Sequence, residues 1–173
     1  MAAAAAKSAP AVKSIWERKV DLLYLVFFAL HVVIILAVDI TPLYPTSLKP
    51  TLLDQIRNYY INTYQDKFFT EPPVWFRGYI IMEAVYHLPL SIWAVRGIMR
   101  DSPLIPIHLL LFSMQTFMTT MTCLMEAWSW ADRSREEKVA LSGLYAPYAL
   151  FAAGLGLDMF CRLKERVTKA KRD

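Results

Sequence analysis

Apolar residues in this chain come in four long blocks separated by polar breaks, and that pattern sets the expected architecture. The first block, DLLYLVFFALHVVIILAVDI, runs uninterrupted. At 1.5 Å per residue, a helix over about 20–40 is long enough to cross a hydrocarbon core of about 30 Å. The prolines of ITPLYPTSLKP end it. The second block covers about 74–95; Pro72 and Pro73 open it, where missing N–H groups cost little, and Pro89 is expected to kink it. The third block covers about 104–125 and the fourth about 141–161, the latter after the charged loop SWADRSREEKVA. Residues 51–69 follow another rhythm. Leu52, Leu53, Ile56, Tyr59, Tyr60 and Tyr64 recur at helical spacing, with Asp54, Arg57 and Asn58 between them. That segment is too polar to span and reads as a helix lying on the interface or capping the bundle. The prediction is an all-α membrane protein: a four-transmembrane-helix bundle with a short lumenal amphipathic helix between spans one and two.

Composition agrees. The 173 residues are 56% hydrophobic, above the roughly 45–50% of soluble domains, and the excess is gathered in blocks. One domain suits this length. The expected division is a disordered cytosolic tail over 1–14, a transmembrane domain over 15–162 and a basic cytosolic tail over 163–173. The net charge of +4 sits at block ends, which fits membrane topology and not nucleic-acid binding. With both termini in the cytosol, twelve of the 19 Lys and Arg fall on that side, as the positive-inside rule asks. The first block has no small-residue cleavage site after it and reads as a retained span, not a signal peptide. Cys123 and Cys161 fall near opposite membrane faces, so no disulfide, no metal spacing and no cofactor is expected.

Two acids inside apolar stretches carry the candidate chemistry: Asp39 at the end of span one and Glu83 within span two. A carboxylate in hydrocarbon costs several kcal/mol, so it faces a bundle interior or polar cavity, and two of them suggest a site for a cationic or polar-headed ligand. Glu83 lies about nine residues into its span, roughly 13 Å deep from the end nearest Asp39. His87 is one turn further on the same face, and Tyr145 and Tyr148 enter span four from that same side. Two carboxyl groups close together in low dielectric tend to share a proton and present about one negative charge, suited to an ammonium or a sterol hydroxyl. Aromatic rings would line the rest. Each residue also has a plainer reading. Asp39 is otherwise interfacial, Glu83 otherwise pairs with Arg77 or His87, and His31 and His87 are otherwise packed and hydrogen-bonded. Gln115, Thr116, Thr119 and Thr120 read as backbone-bonded glue between helices, Pro147 as a kink bordering a cavity, and Asp66 and Glu71 as caps or ion-pair partners.

ALHVVIILAVD, YQDKFFTEPPVWF, the E-x-x-x-H-L-P run from Glu83 and VALSGLYAPYALF together resemble the sigma-2 receptor family of EXPERA-domain membrane proteins. Its fungal-type members include an efficient-mitochondria-targeting-associated branch. The likeness runs from about residue 20 to 162, with order and spacing kept; EPP-x-WF and YAPY are its most specific parts. It implies a four-helix protein of the endoplasmic reticulum, both termini cytosolic, tending to homodimerise. It also implies a lipid-accessible cavity for sterols, oxysterols and cationic amphiphilic small molecules, used in sterol homeostasis or transport without catalysis. Carried over by motif, Asp39 is the ligand-amine carboxylate and Glu83 its partner acid. His31 is the span-one histidine, Tyr148 the lining tyrosine with Tyr145 beside it, and Asp66 the structural acid before EPP. Tyr60 and Thr116 join His87 as further lining candidates. The family's glutamine one turn after the partner acid is His87 here, and in span three the polar contact stays open among Gln115, Thr116 and Thr119. Lys169-Ala-Lys171-Arg172-Asp173 resembles a K-x-K-x-x retrieval signal. Two alternatives remain: a sterol double-bond isomerase, which needs an acid and a base that Glu83 and His87 are able to supply, and a membrane-biogenesis factor aiding mitochondrial precursor targeting.

Overall fold

In the first helix one stripe, Asp21, Tyr24, Phe28, His31 and Ile35, is buried, while Leu23, Val26, Leu30 and Val33 are at least half exposed. The ionisable Asp21 and His31 point in, among packed Phe28 and Ile35, while most aliphatic groups point out, an arrangement that hydrocarbon surroundings favour. The computed structural model describes residues 13–171. The tail expected over 1–14 therefore lies almost wholly outside the described residues, as do Arg172 and Asp173 of the retrieval-like sequence.

The described residues are helical, without strands: α1 (Lys19–Ile34), α2 (Thr51–Tyr64), α3 (Lys67–Thr70), α4 (Val74–Met82), α5 (Leu88–Met99), α6 (Ile105–Ser129) and α7 (Arg135–Ala170). α1 continues through a π-helical turn, Ile35–Asp39, and α4 joins α5 through another, Glu83–His87. Four of the resulting helices are long and apolar enough to cross a membrane: Lys19–Asp39, Val74–Met99, α6 and α7.

Local chemistry places the boundaries. Pro73 precedes α4, and Ser134 with Glu137 forms a capping box at the start of α7. Gln65 adopts φ 52°, ending α2, and Asp66 then caps α3 by accepting the Phe68 N–H. The disturbance expected of Pro89 takes a definite form. Proline offers no N–H to the carbonyl four residues back and its ring crowds it; widening to a π-turn over Glu83–His87 relieves both. Pro147 is accommodated inside α7 without interrupting it.

α6 packs along α7 and α1 packs on α5. One apolar cluster, with Phe28, Leu109, Phe112, Leu155 and Met159 at its centre, fills the end of the bundle where α1 begins. That end also carries an ion network. Asp21 accepts from Arg18 at 2.8 Å and Arg162 at 2.6 Å, and Arg162 also holds Asp158 at 2.9 Å. Tyr24 donates to Asp158, and Arg18 donates to the Ile98 carbonyl of α5. A second, aromatic cluster around Phe68, Trp130 and Leu141 closes the opposite end, where α2 and α3 sit. Between the clusters the bundle is hollow.

Candidate functional site

The hollow is a cavity of about 930 Å³. Both π-turns open onto it and each delivers an acid, Asp39 from the first and Glu83 from the second. A π-turn closes i→i+5 hydrogen bonds, so residues four apart stack almost directly above one another. This brings His87 Nδ1 to 3.0 Å from Glu83 Oε1. Of the pairings open to Glu83 from sequence, His87 is the partner, not Arg77.

His31 stands at the inner end of the cavity. Its Nδ1 lies 3.0 Å from Ser91 Oγ and its Nε2 2.7 Å from the Tyr148 hydroxyl, a chain tying α1 to α5 and α7. Phe112 packs edge-on against His31 and tilted against His87. On the α6 side, Thr119 spends its hydroxyl on the carbonyls of Gln115 and Thr116. Thr116 Oγ1 is buried without a hydrogen-bond partner, as are Glu83 Oε2 and both His87 ring nitrogens; the contact of Nδ1 with Glu83 Oε1 is out of line for a hydrogen bond. Gln115 turns its amide to Met82 Sδ. Thr116, Thr119 and Thr120 line the cavity and Gln115 does not.

At the α2 end, Asp66 is fully buried behind the cavity wall. It accepts from the Tyr60 and Tyr145 hydroxyls, each at 2.9 Å, and through its other oxygen from Phe68 N–H. Burial raises its carboxyl above the usual range, against the lowering effect of those donors. The same burial, with the negative Asp66 beside it, pushes the Tyr60 hydroxyl up, so it remains a donor. Arg57 also lines the cavity, lies over Phe69 and donates to its carbonyl; burial lowers its pKa from the ordinary arginine value.

The structure thus brings together around one cavity Asp39, Glu83, His31, Tyr60, Tyr145, Tyr148 and Thr116. His87 is the exception. It is buried behind Glu83 and is not part of the cavity wall, because the π-turn stacks it beneath the acid instead of rotating it outward. Sequence reading missed Ser91, which steadies His31, and the wall formed by Phe68, Phe76 and Tyr79. Ser91 was findable: it lies one turn beyond His87 on the inward face of span two.

Fold and cavity define a multi-pass α-helical membrane protein with an acid-bearing chamber in one half of its bundle. The chain belongs to the EXPERA (expanded EBP superfamily) family, whose model matches residues 52–159. It is 29% identical over 156 residues to Efficient mitochondria targeting-associated protein 19 of Schizosaccharomyces pombe, covering 87% of this chain and 80% of that one. It is 27% identical over 147 residues to Sigma intracellular receptor 2 of Homo sapiens and to that of Macaca fascicularis, covering 78% of this chain and 83% of each. The family match begins beyond α1, so His31 and Asp39 lie outside it.

Proposed function

We propose that the protein binds sterols and cationic amphiphiles in the endoplasmic-reticulum membrane, as a receptor or carrier and not an enzyme. One observation carries the reading: a cavity of about 930 Å³, mostly apolar and aromatic, into which Asp39 and Glu83 both project. Small-molecule sites run from about 300 to 1,000 Å³ and combine apolar walls with a few convergent polar groups. The acids take the ligand's ammonium or hydroxyl, with Thr116 Oγ1 a free donor beside them, while the rings of Phe68, Phe76 and Tyr79 cover the hydrocarbon part. The likeness to proteins named as intracellular receptors supports the same reading. Placement in the endoplasmic reticulum with both termini cytosolic and a homodimeric state belong to this proposal.

The test is saturation binding of a labelled cationic amphiphile to detergent-purified protein, with sterol competition. Wild type should bind saturably and yield to sterol, and Glu83→Gln and Asp39→Asn should each weaken binding at least about tenfold, the equivalent of about 1.4 kcal/mol. Undiminished affinity in both folded variants would remove the acids from the site. Conversion of a Δ8-sterol by pure protein would move the reading to an isomerase using Glu83 and His87. The relative named for mitochondrial targeting supports a second role, in precursor targeting through partner contacts. In that case both acid variants should rescue a deletion strain fully.

A further inference from the structure

We propose that His31, Glu83 and His87 form a binding site for a divalent transition metal, zinc by preference. The inference goes beyond ligand binding in the cavity and does not depend on it. One ligating atom from each of the three residues lies within 4.8 Å of the other two. A tetrahedral zinc ion with bonds of about 2.0–2.2 Å holds its ligand atoms about 3.3–3.6 Å apart, so small side-chain rotations suffice to close the set. Two imidazoles and one carboxylate are a zinc donor set of the kind that leaves a fourth position open.

Proximity alone would not make a site, but the unmet hydrogen-bonding capacity at this spot does. His87 is 1% exposed, and neither of its ring nitrogens makes a hydrogen bond, the 3.0 Å contact of Nδ1 with Glu83 Oε1 being out of line for one; Glu83 Oε2 is buried and equally without a partner. Leaving such groups unpaired costs about 1–3 kcal/mol each, and a metal ion satisfies carboxylate and imidazole lone pairs together. The π-turn explains why both point to one place, since it stacks Glu83 and His87.

The surroundings supply the rest. Metal-bound histidines characteristically donate the other ring N–H to a fixed acceptor, and Ser91 Oγ lies 3.0 Å from His31 Nδ1. That leaves His31 Nε2 for the metal, and the Tyr148 hydroxyl, 2.7 Å away, moves aside or occupies the fourth position. Glu83 and Asp39, both on the cavity, together neutralise a dication in a low-dielectric interior. Two of the three ligands, His31 and Glu83, line the cavity and only His87 lies behind its wall, so metal bound at Glu83 competes with an ammonium for the same acid.

The experiment is titration of tag-free, chelator-treated protein in detergent with Co²⁺, followed by visible absorption, with Zn²⁺ displacement. Wild type should bind one equivalent with the intense ligand-field bands of a tetrahedral centre, and Zn²⁺ should erase them. His87→Gln should abolish the bands, and Ser91→Ala should weaken binding by about 10–100-fold. His108→Gln, which alters a histidine packed on Trp93 away from the cluster, should leave them unchanged. His87→Cys gives a positive readout even if His87→Gln folds poorly, because a thiolate ligand adds a sulfur-to-cobalt charge-transfer band. Absence of stoichiometric binding by folded wild type, bands that survive His87→Gln, or a folded His87→Cys without the new band would each overturn the proposal. Amphiphile binding in metal-free protein is scored separately, so either reading can fail alone.

Discussion

Asp66 collects three hydrogen bonds from two other elements and its own, with no exposure to solvent. Replacing it with alanine leaves two tyrosine hydroxyls and an amide without their acceptor, at roughly 1–3 kcal/mol each if none finds water. Asp66→Ala should therefore lower stability by about 3 kcal/mol or more, measured by chemical denaturation in detergent. A loss within error of zero would mean that Tyr60 and Tyr145 are held by packing alone. The pH dependence has a definite sign. Burial raises the folded carboxyl above its ordinary value of 3.8, so the folded protein holds this proton more tightly than the unfolded chain. Stability from this group is full below the unfolded value and declines as pH rises through the folded one. Wild type should accordingly lose stability relative to Asp66→Asn across that window; a relative gain would contradict the assignment. An acid just before EPP was readable as a cap, because a polar break between helices demands one. That it would tie Tyr60 to Tyr145 was not readable, since those partners lie 79 residues apart in the case of Tyr145.

The two π-turns act at the scale of the helix. Each adds a residue to one turn, and on an α-helix one residue is a rotation of about 100°. Pro89 holds the second turn open, so Pro89→Ala restores an N–H and removes the crowding that favours the wide turn. The expected result is rotation of Glu83 out of the cavity, with amphiphile affinity down at least about tenfold, about 1.4 kcal/mol, while helicity is kept. Unchanged affinity would mean that packing and not proline sets the turn. Apolar periodicity identified all four spans because block length is a coarse property that one inserted residue barely alters. It was silent on the π-turns for the same reason, and so it placed His87 in the cavity wall. The proline signalled a disturbance without revealing its geometry.

Across the whole molecule, the ends of the bundle are built differently. At one, Asp21 bridges Arg18 and Arg162, with side-chain exposures of 11%, 11% and 30%, and Arg18 reaches α5. Removing one member of a largely buried ion network strands the others, so Asp21→Asn should cost about 3 kcal/mol of stability while leaving amphiphile affinity within error of wild type. A parallel fall in affinity would show that this end shapes the cavity. In the sequence Arg18 and Arg162 were legible only as topology markers, since a charge count carries no information about which acid each meets. At the other end the aromatic cluster around Phe68 and Trp130 closes the bundle, and the chamber lies between the two packed ends. In mechanical terms the bundle is a vessel on a fixed base: clamped by ion pairs and close-packed rings where α1 begins, lidded by aromatic rings, and thinnest around the chamber between them. Bending is cheapest where few atoms resist it, so a large, rigid guest should be admitted by flexing the chamber's walls without loosening the ion-paired base.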